Sequence, residues 1–231
     1  MKNILKILIV IGLVIASIGV LFIGQGYKMY KDAIKEVSIE SKIEEIRKQE
    51  NYTKISEVPE MYKKAVVSVE DHRFYKHYGI DVIAIGRAIF NDLKAFSFVE
   101  GGSTITQQLA KNQYFTQEKK ITRKIAETFL AFKIEKEYEK DEILELYINT
   151  IYFGNGYYGI KEAAIGYFGK LPKDLTDGEC IMLAGIPNAP SVYALTENLD
   201  LAKQRQKQVM AKMIRYKTLT EEQAKEILNL D

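Results

Sequence analysis

Glu70 is the first side chain whose position in the sequence could support chemistry. It lies near the C-terminal end of an apolar helical pattern, where a carboxylate faces the negative end of the helix dipole. Partial burial there would also disfavour the charged carboxylate. Both conditions favour proton uptake, as a general base requires. The alternative is a surface Glu70-Asp71 pair that only ends a helix.

A second segment, from Gly101 to Asn112, reads GGSTITQQLAKN. Its two glycines would let a ligand approach backbone N–H groups at a helix N-terminus, where anions bind. Gln108 and Lys111 share one helix face, and Asn112 lies beside them. An amide and an ammonium together suit phosphate oxygens and sugar hydroxyls. The alternative is an ordinary capped helix.

In a third segment, Arg123 and Lys124 precede Glu127 by four and three residues, which places all three on one helix face. Ile125 and Phe129 lie on the opposite side. The charged face could clamp a pyrophosphate, with the carboxylate held among the cations. The alternative is a salt-bridged surface stripe.

Composition excludes several other chemistries. The 231 residues are 47% hydrophobic with a net charge of +2, which suits one domain plus an appendage, or two small domains. This charge gives no general case for nucleic-acid binding. The lone Cys180 excludes an internal disulfide, and two histidines leave little for a zinc site. Neither a phosphate-binding P-loop nor a nucleophile elbow is present.

The N-terminus predicts a membrane anchor over residues 1–26. Residues 7–23 carry no charge, and with their neighbours they reach the ~20 residues that cross a bilayer. The run is longer than a typical signal-peptide core, and no small-x-small cleavage site follows it. The short leading tail favours an N-terminus inside and the remainder outside, although three lysines follow the span.

Residues 27–51 predict a solvated helical stalk, because apolar positions recur at helical spacing among many charges. The following domain, 52–231, shows no run of alternating strands, and an all-α domain is predicted, with room for a short hairpin. Its expected helices cover about 59–71, 81–93, 104–112, 121–138, 143–148, 161–168, 179–186, 201–216 and 221–228.

In this order, the three segments resemble the peptidoglycan glycosyltransferases of bacterial cell-wall synthesis. This is glycosyltransferase family 51, which is also the transglycosylase domain of class A penicillin-binding proteins. The likeness continues through 143–149, 163–170 and 183–187, and covers about Tyr52 to Met213. The chain ends soon after Leu228, so the resemblance implies the monofunctional form, without a transpeptidase domain.

The resemblance implies a mostly helical, lysozyme-like fold in the bacterial cytoplasmic membrane. The enzyme would polymerise lipid II into glycan strands by inverting β-1,4 transfer, releasing undecaprenyl pyrophosphate. Glu70 would be the catalytic base that deprotonates the acceptor 4-hydroxyl, and Glu127 the second catalytic carboxylate. Asp71 and His77 would be structural. Contacts to the donor sugars and pyrophosphate would come from Arg73, Ser103, Gln108, Lys111, Asn112, Arg123 and Lys124.

No cofactor is expected to be obligatory; the alternative is a divalent cation, Mg²⁺ or Mn²⁺, near Glu70 or the pyrophosphate. The expected partners are lipid II, the growing glycan chain, membrane lipid and the cell-wall synthesis machinery, and no nucleic acid. Two rival functions stay open. A glycan hydrolase would use a glutamic acid as general acid but would have no pyrophosphate to hold. If the protein were instead a non-enzymatic, membrane-anchored scaffold, every charge cluster would be solvated surface without a catalytic role.

An unusually apolar stretch follows the first segment. An ordinary core helix would explain part of it, but it carries more apolar residues than one buried face requires, and Lys94 lies among them. With the resemblance, it predicts a mobile segment that dips into the bilayer and admits the lipid. Its apolar residues are Ile80, Val82, Ile83, Ile85, Ile89, Phe90, Leu93, Phe96 and Phe98.

Overall fold

The computed structural model describes residues 2–95, 101–116 and 120–230. Within these ranges the chain is helical, and its β-structure is limited to two isolated bridges, Tyr78–Ile80 and Tyr152–Tyr158. This confirms the all-α prediction. The α-helices are α1 Lys2–Glu36, α2 Ile39–Arg47, α3 Glu60–Glu70, α4 Val82–Ala95, α5 Ile105–Tyr114, α6 Ile121–Glu137, α7 Lys140–Thr150, α8 Ile160–Phe168, α9 Asp177–Gly185, α10 Pro190–Tyr193, α11 Leu199–Arg215 and α12 Glu221–Leu230.

Local capping sets where the helices that carry the site begin. Thr104 caps α5 by accepting a hydrogen bond from the Gln107 amide, while the Gln107 side chain accepts one from the Thr104 amide. A similar exchange between Glu139 and Glu142 begins α7. The sequence predicts that helix from Ile143, so this cap explains why it begins one turn earlier.

The first helix is long and apolar enough to cross a membrane. Its most apolar 18-residue window has a mean hydropathy of 3.0 and is not buried against the rest of the chain. The helix continues without a break beyond residue 26 and packs against α6. At the crossing, a Cβ added to Gly26 would lie 2.5 Å from Cγ2 of Ile125. The ring of Tyr27 meets that of Phe129 edge-on at 5.1 Å.

Residues 27–51 differ from the solvated stalk that the sequence predicts. They are largely helical, as expected, but α2 buries Ile39, Ile43 and Ile46 in the core and packs against α7. These residues are spaced by four and three, so they form one apolar face that α7 covers. Arg47 adds an ion pair to Glu142 at 2.8 Å. Packing therefore begins well before residue 52.

The core lies where α3, α9 and α11 contact one another and where α5 packs between α6 and α7. Helix α9 is almost entirely buried and holds the lone Cys180. Burial raises the pKa of the Cys180 thiol to about 12, so it stays protonated at neutral pH.

Candidate active site

A cleft of about 440 Å³ opens beside the C-terminal end of α3. Four of the residues that the sequence predicts as site residues line it: Glu70, Ser103, Gln108 and Lys111. They come from the end of one helix and from the glycine-rich segment and helix that follow it in the chain. Two of the three predicted segments therefore meet at one concave surface.

Glu70 is half-buried and held by an amide. Nε2 of Gln108 donates a hydrogen bond to Oε2 of Glu70 at 2.8 Å. The buried hydroxyl of Tyr147 in turn donates to Oε1 of Gln108 at 3.3 Å. This second hydrogen bond fixes which end of the amide faces the carboxylate. The carboxylate is thereby oriented by two side chains from two different helices.

The residue after Glu70 explains why α3 and α5 meet. Oδ2 of Asp71 accepts a hydrogen bond from the backbone amide of Ile105 at 3.1 Å and lies 2.8 Å from Nε2 of His77. Thr104 adds a hydrogen bond from its hydroxyl to the Gly79 carbonyl at 2.7 Å. Asp71 thus holds the N-terminus of the helix that carries Gln108. These contacts agree with the structural role expected for Asp71 and His77.

The third predicted segment adjoins the cleft without lining it. Glu127 is 1% exposed, and its two oxygens pair with the cations that the sequence places beside it, Arg123 and Lys124. Nζ of Lys124 also donates to Oγ of Ser103 at 2.6 Å. Ser103 lines the cleft, so this contact connects the basic cluster to it.

The charge state of Lys111 depends on burial and on the charged side chains around it, which include the carboxylates of Glu70 and Glu127. Burial lowers the pKa of its ammonium, and the like charges of Arg123 and Lys124 lower it further. The carboxylates of Glu127 and Glu70 oppose this shift but do not cancel it. Lys111 is therefore a cation that a further negative charge in the cleft would stabilise.

Arg73 and Asn112, both predicted to bind substrate, are not among the residues that line the cleft. Nε of Arg73 lies 3.0 Å from Oδ2 of Asp81 as an ion pair, without the geometry of a hydrogen bond. Asp81 is buried, which opposes its ionisation, but amide hydrogen bonds from Ala84 and Ile83 and the charge of Arg73 lower its pKa overall. The side chain of Arg73 therefore pairs with Asp81, the residue that precedes α4.

The structure adds lining residues that the sequence did not single out. Lys212 on α11 donates from Nζ to the carbonyl of Val69 at 3.1 Å, at the end of α3. Arg205, seven residues earlier on the same helix, donates to the Gly185 carbonyl at 3.3 Å. Their spacing could have shown that they share a helix face. Further lining residues that were missed include His72, Arg87, Asn188 and Tyr216.

The apolar stretch after the first segment forms most of α4. Val82, Ile83 and Phe90 are 70%, 59% and 66% exposed. Phe96 and Phe98 lie outside the described residues, as do the side chains of Ile89 and Leu93. The described part therefore presents large apolar side chains to its surroundings, and the membrane-dipping segment stays a prediction.

The residues near the cleft do not fit a resident divalent cation. Both oxygens of Glu127 are already paired with cations, and one oxygen of Glu70 accepts from Gln108. Across the described ranges, no group of three or more His, Cys, Asp or Glu side chains could hold a metal ion. The metal requirement itself stays a prediction.

Comparison with known proteins identifies the family. The transglycosylase family model matches residues 38–214. Penicillin-binding protein 1A of Neisseria lactamica is 47% identical over 178 residues, which cover 77% of this chain and 22% of that relative. Penicillin-binding protein 1F of Bacillus subtilis (strain 168) is 47% identical over 159 residues, covering 69% of this chain and also 22% of the relative.

A solved structure, penicillin-binding protein 1A from Haemophilus influenzae, is 22% identical with a TM-score of 0.46, covering 77% of this chain and 17% of that one. This chain spans 22% of the length of the two relatives in the Neisseria and Bacillus species. The family model covers all three predicted segments and most of the chain, so the chain belongs to the transglycosylase family.

Proposed function

We propose that this protein polymerises lipid II into peptidoglycan glycan strands by inverting β-1,4 glycosyl transfer, with release of undecaprenyl pyrophosphate. The observation that carries the proposal is the arrangement of Glu70, Gln108 and Lys111 on one cleft, with the Arg123–Lys124–Glu127 cluster joined to it through Ser103. Family membership supports the same reaction class.

In this reaction Glu70 acts as the general base. Its carboxylate removes the proton from the acceptor 4-hydroxyl, and that oxygen attacks the anomeric carbon of the donor. The bond from the anomeric carbon to the pyrophosphate oxygen breaks, which inverts the anomeric configuration. The hydrogen bond from Gln108 leaves the other oxygen of Glu70 available for the proton. Holding the carboxylate in this way reduces the cost of orienting it during the reaction.

The departing pyrophosphate needs cations, because negative charge develops on its oxygens as the bond breaks. Lys111 lies in the cleft, and Lys124 contacts its edge through Ser103. Glu127 holds Arg123 and Lys124 close together despite their like charges. Its proposed role is therefore to position the cations, with the second carboxylate contributing no proton transfer.

We also propose that the N-terminal part of α1 anchors the protein in the bacterial cytoplasmic membrane, with the N-terminus inside and the domain on the outer face. A lipid-linked substrate requires the cleft to be near a membrane, and the apolar helix provides that proximity. Lipid II, the growing glycan chain and membrane lipid are the proposed partners, with the cell-wall synthesis machinery as a further one. Labelling of exposed lysines by an impermeant reagent in intact cells tests the orientation.

The direct test is polymerisation of purified lipid II by Glu70→Gln. Replacing the carboxylate with an amide keeps the size of the side chain but removes the proton acceptor, so the rate should fall by about 10²- to 10⁴-fold. Glu222→Gln, at an exposed position on α12, is the matched control and should polymerise at the normal rate. A Glu70→Gln rate close to that of the unaltered chain would remove Glu70 from the mechanism.

The same assay tests the metal and the rival function. Addition of a chelator is expected to leave most of the activity, because no three of the described His, Cys, Asp or Glu side chains are grouped to hold a metal ion. Release of soluble fragments from a finished glycan, without polymer formation from lipid II, would favour a hydrolase instead.

A further inference from the structure

A second groove lies on the other side of one wall of the cleft. Its volume is about 510 Å³, and we call it the lysine groove after the three lysines that line it, Lys63, Lys64 and Lys76. The wall between the two spaces is formed by His72 and Tyr216, which line both. Their rings stack with centroids 4.0 Å apart and planes at 11°.

The His72 side of the wall is uncharged, and a hydrogen bond next to the ring pair joins the two segments that carry it. Burial lowers the pKa of His72, and the charge of Arg87 adds to that shift, so the imidazole is uncharged at neutral pH. Beside the ring pair, the hydroxyls of Ser68 and Thr218 lie 2.8 Å apart and form a hydrogen bond. A ligand that extends from the cleft into the groove would therefore cross a flat aromatic surface, and the guanidinium of Arg215 lies 5.6 Å from the centre of the Tyr216 ring.

The groove is within reach of a substrate bound at Glu70. Lys63 and Glu70 are seven residues apart on α3, so they lie on the same face of the helix. At 1.5 Å per residue their separation along the axis is about 10 Å. An extended peptide covers about 3.3 Å per residue, so roughly three residues would span this distance.

The charges of the groove suit an anion. Lys63 is paired with Glu60, and the second lining carboxylate, Asp141, accepts a hydrogen bond from the hydroxyl of Tyr75 at 2.9 Å, so three lysines face two carboxylates. Lys64 and Lys76 are exposed, and within the described part of the chain their ammonium groups form neither an ion pair nor a hydrogen bond. Two uncommitted ammonium groups on one groove would attract carboxylates, whereas a neutral glycan or lipid chain would gain nothing from them.

We propose that the lysine groove binds the carboxylate-bearing peptide branch of the acceptor substrate while the acceptor sugar lies against Glu70. The assignment rests on the proposed function above and adds a determinant of substrate choice to it. Lys64 and Lys76 contact the peptide carboxylates, and the His72–Tyr216 pair supports the peptide where it leaves the cleft. Neither lysine takes part in proton transfer or contacts the pyrophosphate.

The test compares two substrates in neutral detergent, which supplies no anionic lipid headgroup. One is lipid II with free peptide carboxylates, and the other is the same molecule with those carboxylates amidated. For the full chain carrying Lys64→Ala and Lys76→Ala, KM for the free-carboxylate substrate should rise about three- to tenfold, as expected for two exposed ion pairs. Its kcat and its KM for the amidated substrate should be unchanged.

The matched control carries Lys173→Ala and Lys225→Ala, two exposed lysines outside the groove, and loses the same charge. Its KM values should equal those of the unaltered chain. An equal KM for the two double variants on the free-carboxylate substrate would overturn the groove assignment, as would an equal rise for the amidated substrate. If the unaltered chain polymerises neither substrate, the proposed function fails, and the groove assignment fails with it.

Discussion

Glu70 depends on partners that lie far from it in the chain. Gln108 donates a hydrogen bond to one of its oxygens, and Tyr147, a buried core residue, donates one to Gln108. Tyr147 belongs to α7, which carries none of the predicted site residues. Its hydroxyl therefore acts through Gln108, as a positioning group that does not contact substrate.

Tyr147→Phe should lower kcat about two- to tenfold and leave KM unchanged. The substitution removes one hydrogen bond, which contributes about 0.5–1.5 kcal/mol, and lets the Gln108 amide turn away from Glu70. Steady-state rates with lipid II measure both constants. Tyr62→Phe is the control, because the buried hydroxyl of Tyr62 has no hydrogen-bond partner among the described residues. Equal kcat values for the two variants would contradict the positioning role.

The pH dependence of kcat/KM should show the loss of the proton from Lys111. Its pKa is lowered by burial, so its ammonium loses the proton at a lower pH than an exposed lysine does. The charge is present below that pKa and lost above it, so kcat/KM should fall on the alkaline side. Lys111→Arg keeps its charge throughout the range and should move that fall to higher pH. An unchanged alkaline side in the arginine variant would exclude Lys111 as the group responsible.

At the scale of elements, α6 serves two surfaces at once. One face carries Arg123, Lys124 and Glu127, and the opposite face, with Ile125 and Phe129, packs against α1. The helix that contains the proposed anchor thus supports the helix that carries the basic cluster. Close contact between their backbones depends on the missing side chain at Gly26.

Gly26→Leu should therefore destabilise the full chain in detergent by about 1–3 kcal/mol, measured as a lower midpoint of thermal unfolding. An added Cβ there would lie 2.5 Å from Ile125 and 2.9 Å from the Thr122 carbonyl, so α1 and α6 must separate. At Gly24 a Cβ meets no atom within 4 Å, and Gly24→Leu should be neutral or stabilising. Ile125→Ala should restore part of the loss in the Gly26→Leu chain.

At the scale of the whole molecule, large exposed apolar side chains concentrate on two described helices, α1 and α4. The proposed anchor accounts for α1. Helix α4 follows the segment that carries Glu70, and Arg87 of α4 lines the cleft. An apolar surface next to the opening of the cleft would let a lipid-linked substrate enter from the membrane.

Replacing Val82, Ile83 and Phe90 together by Ser should slow polymerisation of vesicle-bound lipid II about tenfold or more. Full burial of one such side chain contributes about 1.5–3 kcal/mol. Partial insertion of three of them would therefore contribute more than the ~1.4 kcal/mol that corresponds to a tenfold change. The rate with a short-chain, water-soluble substrate should not change, which distinguishes membrane entry from chemistry. Val192→Ser with Leu199→Ser, also exposed, is the control. Equal losses on both substrates would argue against a membrane contact.

The sequence by itself determined most of the helices, the apolar N-terminal span and the segments that carry the carboxylates, the amide and the cations of the site. These depend on local properties: helical periodicity, capping residues such as Thr104, and charges spaced by three or four residues. For the same reason the Glu127 cluster could be predicted from 123–127 alone. The contacts that the structure gives these residues agree with that local pattern.

Only the tertiary structure decided which distant residues share a surface. Lys212 meets the end of α3 from 143 positions away, Arg73 pairs with Asp81 and not with the cleft, and α2 packs where the sequence predicts a solvated stalk. In each case several partners were equally compatible with the local pattern. The choice depends on which helix faces are buried against one another, and that is a property of the packed core and not of any single segment.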